Sequence, residues 1–279
     1  MRYGALSYEG ITYPYVLRDG QPALLRRYAG HDVAALIGLG SDELSEAVAA
    51  AEPVTGGEQL AMPPIRPGKI VAIGLNYMDH VRESGQKPPQ VPLVFAKFPS
   101  SLAAAGETIV IDPEVTKRVD WEVELAVVIG IGGRRITVAD APAHVFGYTV
   151  ANDLSARDIQ FSDGQWVRAK SLDGFCPLGP EIVTADEIPD PQSLALRTVV
   201  NDEVVQNSTT AEMIFGVWEL IAFCSGSFRL EPGDVILTGT PWGCGEFMTP
   251  RRNLHHGDVV SVSVERVGTL TNPIRVEGE

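Results

Sequence analysis

Residues 120–129 read Asp120-Trp121-Glu122-Val123-Glu124-Leu125-Ala126-Val127-Val128-Ile129. In a strand, alternate side chains share a face. Here that places Trp121, Val123, Leu125, Val127 and Ile129 on one side, as core, and Asp120, Glu122 and Glu124 on the other. A solvated edge is the ordinary account of an acidic face. This one continues into Ala126 and Val128, which argues for partial burial. Neighbouring carboxylates in a low-dielectric site repel, and one is driven to stay protonated. A divalent cation removes that conflict, and hard oxygen ligands without His or Cys nearby select Mg²⁺, Mn²⁺ or Ca²⁺ over zinc. A further ligand is suggested at Asp153, which follows the apolar run Phe146 to Ala151; an N-cap role fits the same residue equally well. Arg157 and Gln160, three apart, can point to one side of the turn that follows.

Working outward, residues 1–62 read as a small N-terminal unit, with strands at Arg2 to Tyr8 and Thr12 to Leu17 and a weak helix from Ser41 to Ala51. Met62-Pro63-Pro64-Ile65-Arg66-Pro67-Gly68 reads as a stiff boundary, with a catalytic domain over 69–279. Within it, Ile70 to Ile73 is a short apolar strand, and Asn201-Asp202 is a turn between two strand edges. Thr209-x-x-Glu212 has the form of a capping box opening a helix that runs to about Gly226. Many short strands, Gly/Pro turns and few helices predict an α+β, mainly β fold, a sandwich or roll.

The 279 residues carry 22 Lys or Arg against 36 Asp or Glu, a net charge of −14. That argues against non-specific contact with nucleic acid or anionic membranes. No run approaches a membrane span, and the first residues lack the apolar core of a signal peptide, so a cytoplasmic protein is expected. Three cysteines without a C-x-x-C pair support neither a zinc knuckle nor a disulfide framework. Gly130-Ile131-Gly132-Gly133 and Gly239-Thr240-Pro241-Trp242-Gly243 lack the remaining residues of nucleotide-binding loops and read as turns.

Four blocks, Asp120 to Leu125, Asn152 to Asp158, Ala169-Lys170-Ser171-Leu172-Asp173 and Thr238-Gly239-Thr240-Pro241-Trp242-Gly243, resemble the signature blocks of the fumarylacetoacetate hydrolase superfamily. Their order is the family's, they span roughly residues 69–275, and the resemblance points to its acylpyruvase and 2-hydroxyhepta-2,4-diene-1,7-dioate isomerase-like branch. It implies a β-rich roll around a metal held by Glu122, Glu124 and Asp153, with Lys170 beside it. It further implies substrate contacts at Arg157, Gln160 and Thr240, and a homodimer. Without it, Lys170 would read as a surface lysine and Thr240 as a turn residue.

In Asn76-Tyr77-Met78-Asp79-His80-Val81-Arg82-Glu83, a helical turn puts His80 and Glu83 on one face. Spacing alone fits a surface ion pair, but a glutamate can also orient a histidine as a base. The block resembles the family's mobile lid, in which such a pair activates water, with Gly74 and Gly85 as hinges. The resulting expectation is metal-dependent hydrolysis of a C–C bond in a 2,4-dioxo acid to pyruvate and a carboxylic acid. The alternative is decarboxylation or isomerisation of an oxaloacetate-like or hydroxymuconate-type 2-oxo acid, and a non-catalytic metal-stabilised binder is a third reading.

Overall fold

A computed structural model describes residues 1–279. Its frame is two β-sheets packed across a continuous core. The larger, twelve-stranded sheet runs in space from the N-terminal strands, through Arg2–Tyr8, Cys176–Thr184, Val145–Asn152, Val123–Ile129 and Val235–Leu237, to Ile70–Gly74 and Leu93–Lys97. The second has the order Glu203–Thr209, Ala195–Val200, Val259–Val264, Gly268–Val276 and Ile109–Ile111. The structure is the mainly β architecture expected from the spacing of turns.

The alternation in 120–129 decides how the layers stack. Trp121, Val123, Leu125, Val127 and Ile129 are buried in one cluster with Leu196, Val200, Val260, Val262 and Leu270 of the second sheet. Ala126 and Val128 point the other way, into a cluster containing Tyr3, Val16, Val33, Leu36 and Ile65. The N-terminal unit over 1–62 therefore shares a core with the rest. It also shares the sheet, since Arg2–Tyr8 pairs with Cys176–Thr184 in the register Arg2↔Val183. No helix is long and apolar enough to cross a membrane.

Two local expectations change. The stretch from Asp120 to Ile129 is not one strand: Val119–Asp120 pairs with Ser155–Ala156, and the main strand starts at Val123. At the break, side chains replace ladder partners. Trp121 N donates to Asp120 Oδ1, Glu122 N to Asn152 Oδ1 and Val123 N to Gln206 Oε1. The helix expected from Thr209 begins only at Val217 and runs to Ser227. Thr209 caps a single 3₁₀ turn, because Asn76 then captures the backbone. Ile214 N donates to Asn76 O, Phe215 N donates to Asn76 Oδ1, and Asn76 Nδ2 donates to Phe215 O. Gly216 with Glu219 opens the helix instead.

Strand Val145–Asn152 lies against Cys176–Thr184 so closely at Gly147 that a Cβ there would sit 2.2 Å from Val183 O. A backbone oxygen in a central sheet cannot swing aside. Gly147→Ala should therefore destabilise the fold by about 1–3 kcal/mol, read as a lowered Tm in circular dichroism. An unchanged Tm would show that the two strands separate freely at this point.

Candidate active site

The carboxylates converge because the strand break turns their backbone. Asp153 N donates to Glu122 O, which fixes the residue after strand Val145–Asn152 beside the residue before Val123. One ligand atom from each of Glu122, Glu124 and Asp153 lies within 4.8 Å of the others, and all three residues are buried. Asp120 belongs to the same buried group but faces Arg157, whose Nε donates to Asp120 Oδ2 at 2.9 Å.

Three cations answer this charge. Lys170, on the short helix Val167–Lys170, places Nζ 2.7 Å from Glu122 Oε2 and 2.7 Å from Asp153 Oδ2. Arg157 reaches both Asp120 and Glu122, at 2.7 and 2.8 Å. The third is Lys97, fully buried at the end of strand Leu93–Lys97, with Nζ 2.5 Å from Asp153 Oδ1 and 2.9 Å from Phe175 O. Lys97 escaped sequence reading. Its one signal is a lysine closing the apolar run Leu93-Val94-Phe95-Ala96 and followed by Phe98.

Glu124 is the exception. Its carboxylate accepts Gly239 N at 2.6 Å and meets no cation. Burial, reinforced by the Asp153 and Glu122 charges, pushes its carboxyl well above the usual range. Glu122 moves the opposite way: burial raises it, but the Lys170 ammonium and the Arg157 guanidinium overcome burial and hold it below the ordinary value. Burial likewise opposes the charge on Lys170, while Asp153 and Glu122 hold its proton on. Four buried carboxylates face three cations, so Glu124 is left without a cationic partner and its carboxyl favours the protonated form. A divalent cation would take the place of that proton, and the all-oxygen donor set suits Mg²⁺, Mn²⁺ or Ca²⁺.

The lid block forms the helix Met78–Ser84, closed by Gly85 at φ 67°. His80 Nδ1 lies 2.8 Å from Glu83 Oε1, so the i, i+3 pair forms as the spacing predicted. The helix is pinned against the loop after Leu237. Glu83 Oε2 accepts Gly243 N at 2.9 Å, while Asp79 accepts Trp242 N at 3.3 Å and the Ser208 hydroxyl. Of the expected hinges, Gly74 also makes room: a Cβ there would meet the Trp166 ring at 2.4 Å.

Arg157 and Gln160 lie on the helix Arg157–Asp163, with Arg157 Nη1 donating to Gln160 Oε1 at 2.9 Å. Thr240 is held by Gln206, a buried side chain that sequence reading passed over. Gln206 Nε2 donates to Thr240 Oγ1 and to Pro241 O at 3.0 Å, while its Oε1 accepts Val123 N and the Thr198 hydroxyl. One amide thereby ties the Thr240 loop to the start of the carboxylate strand.

These groups open into one cavity of about 70 Å³. His80, Glu122, Arg157, Gln160, Lys170 and Thr240 line it; Glu83, Glu124 and Asp153 stand behind that lining. Apolar walls come from Ile73, Phe95, Phe161, Trp166 and Phe247. Phe95 also lies 5.4 Å from Lys170 Nζ, a cation–π contact beside the carboxylates.

Comparison with known proteins places this geometry in context. A family model described as the fumarylacetoacetate (FAA) hydrolase C-terminal domain matches residues 69–275. A Rattus norvegicus protein named oxaloacetate tautomerase Fahd2a, mitochondrial, is 46% identical over 213 residues, covering 76% of this chain and 68% of that protein. Among solved structures, a fumarylacetoacetate hydrolase from Exiguobacterium antarcticum superposes with TM-score 0.89 at 35% identity, covering 99% of this chain and all of that one. A maleylpyruvate hydrolase from Sphingobium sp. SYK-6, solved with manganese(II) and pyruvate, gives TM-score 0.81 at 27% identity, covering 99% of each chain. With the family model matching residues 69–275 and the fold in agreement, the chain belongs to the fumarylacetoacetate hydrolase family of enzymes.

Proposed function

We propose that this protein is a divalent-metal-dependent enzyme that interconverts the keto and enol forms of a small 2-oxo dicarboxylic acid of the oxaloacetate type. One observation carries the reading: a histidine base and a buried cation–carboxylate cluster face each other across a single small cavity. A divalent ion held by Glu122, Glu124 and Asp153 would supply Lewis-acid stabilisation of negative charge on the substrate oxygen.

The chain's own residues account for the rest. Arg157, held rigid by Asp120 and Gln160, presents positive charge to a substrate carboxylate. Lys170, kept protonated by its carboxylate neighbours, stabilises the enolate oxygen as charge develops there. His80, oriented by Glu83, removes a proton from the carbon next to the keto group, and the enolate oxygen then takes up a proton. No bond to carbon other than C–H breaks, and no water is consumed. The walls of Phe95, Phe247 and Trp166 exclude solvent from the reacting atoms.

Relatives named oxaloacetate tautomerase favour this reaction over the C–C hydrolysis expected from the sequence. Hydrolysis stands as the second reading because the His80–Glu83 pair has the geometry to activate water.

The two readings separate in one set of assays. Enol oxaloacetate should convert to the keto form faster with enzyme and Mg²⁺ or Mn²⁺, followed by ultraviolet absorbance, and a chelator should abolish the effect. Rapid pyruvate release from acylpyruvates without tautomerisation would establish the hydrolase instead, and activity that survives exhaustive chelation would defeat the metal-dependent scheme altogether. Lys170→Ala should lower kcat by about 10²–10³-fold, the usual effect of losing one preorganised charge stabiliser. The variant must remain folded by circular dichroism, and a folded variant retaining a tenth or more of wild-type kcat would remove Lys170 from the chemistry.

A further inference from the structure

Cys244 has no part in the scheme above, yet its sulfur lies beside the lid pair. A ring nitrogen of His80, a carboxylate oxygen of Glu83 and Cys244 Sγ all fall within 4.8 Å of one another. Two segments build this group, the helix Met78–Ser84 and the loop that carries Thr240. They are locked together by Gly243 N donating to Glu83 Oε2, one residue before the cysteine. Phe247 packs edge-on against the His80 ring with centroids 5.4 Å apart. The thiol makes only long sulfur contacts, 3.9 Å to Pro241 O and 4.0 Å to Gln206 Nε2, so redirecting it sacrifices no strong bond.

We infer that His80, Glu83 and Cys244 form a second metal site, distinct from the three-carboxylate centre and selective for a borderline divalent ion such as Zn²⁺. Nitrogen, oxygen and sulfur donors in one set match zinc and are poor partners for Mg²⁺. Tetrahedral zinc with bonds of ~2.0–2.3 Å spaces its ligands about 3.3–3.6 Å apart. From separations within 4.8 Å, the group needs adjustments of at most about 1.2–1.5 Å, within reach of side-chain rotation. Coordination releases the thiol proton to solvent and exchanges hydrogen bonding at the His80–Glu83 pair for bonds to the ion, with no covalent bond other than S–H broken. One carboxylate, one thiolate and a neutral imidazole then balance the ion's two charges, so the filled site is buried without excess charge. Three protein ligands leave a fourth position for water.

An ion there occupies the proposed base. One class of metal would thus activate the enzyme at Glu122, Glu124 and Asp153, while another would inhibit it at His80. The inhibition rests on the role proposed for His80; the binding does not.

Co²⁺ is the probe, because its bond to thiolate gives a near-ultraviolet charge-transfer band that an all-carboxylate site cannot produce. Added to the Mg²⁺-saturated protein, Co²⁺ should raise this band, and Zn²⁺ should displace it. Cys244→Ser should abolish the band, while Cys176→Ala, which alters a different buried thiol, should keep it. Zn²⁺ should inhibit the Mg²⁺-dependent reaction, with the inhibition constant raised at least about tenfold in Cys244→Ser and the uninhibited rate retained. Absence of the band, or its persistence in Cys244→Ser, overturns the site. A Cys244-dependent band with no loss of activity upholds the site and removes His80 from catalysis.

Discussion

Confinement of four carboxylates in a space closed to water is the constraint on which this structure turns. Asp120, Glu122, Glu124 and Asp153 are each at most 5% exposed, and no such group stays ionised there unless positive charge is delivered to it. The surrounding elements make those deliveries. Strand Leu93–Lys97 ends on Lys97, helix Arg157–Asp163 begins with Arg157, and helix Val167–Lys170 finishes at Lys170. Removing one partner of a buried ion pair typically costs ~3–5 kcal/mol, because the other is left uncompensated. The short elements around the sheet edge are therefore held by charge as much as by packing. The single unmatched carboxylate, Glu124, is where the protein's stability and its affinity for a cation become linked.

A second tier of contacts fixes the groups that line the cavity. Gln206 spans from Val123 N, at the root of the carboxylate strand, to the Thr240 loop. Asp79 bonds across from the lid helix to Ser208 and Trp242, and Glu83 to Gly243. Strand Glu203–Thr209 supplies both Gln206 and Ser208, so one edge of the second sheet sets the positions of lid and loop together. Three hydrogen bonds join helix Met78–Ser84 to this edge and loop, and none of them involves Glu122, Glu124 or Asp153.

How much of this was readable in the chain depends on the range of the physics involved. The alternation of 120–129 is a local property, and it correctly separated Trp121, Val123 and Leu125 from the acidic side. His80 and Glu83 are three residues apart, and helical geometry alone brings them together. Lys97 meets Asp153 across 56 residues, and nothing in its neighbourhood announces a buried partner. Gln206 is similar: its partners Val123 and Thr240 lie 83 and 34 residues away. The misplaced helix start has the same origin. Thr209 and Glu212 satisfy a local capping rule, but Asn76, distant in sequence, binds the backbone at 214–215 and delays the helix to Val217. Long-range hydrogen bonds override local propensity, and a single sequence does not display them.

The charge cluster sets what the site can stabilise, and its walls select the reaction. Keto–enol exchange, decarboxylation and C–C hydrolysis all place negative charge on the same substrate oxygen, so the roles proposed for Lys170 and the carboxylates would serve each of them equally. They differ in what else must fit. Exchange needs one base near one carbon, whereas hydrolysis adds a water and a departing acid. The wall that would have to yield contains Phe161, 59% exposed, and Gln86, just beyond the Gly85 turn; neither touches the carboxylate cluster's ion pairs with Lys97, Arg157 and Lys170. Enlarging the pocket there leaves the ion pairs of Lys97, Arg157 and Lys170 in place. A family can therefore redistribute its chemistry through this rim while the carboxylate centre, constrained by electrostatics, stays as it is.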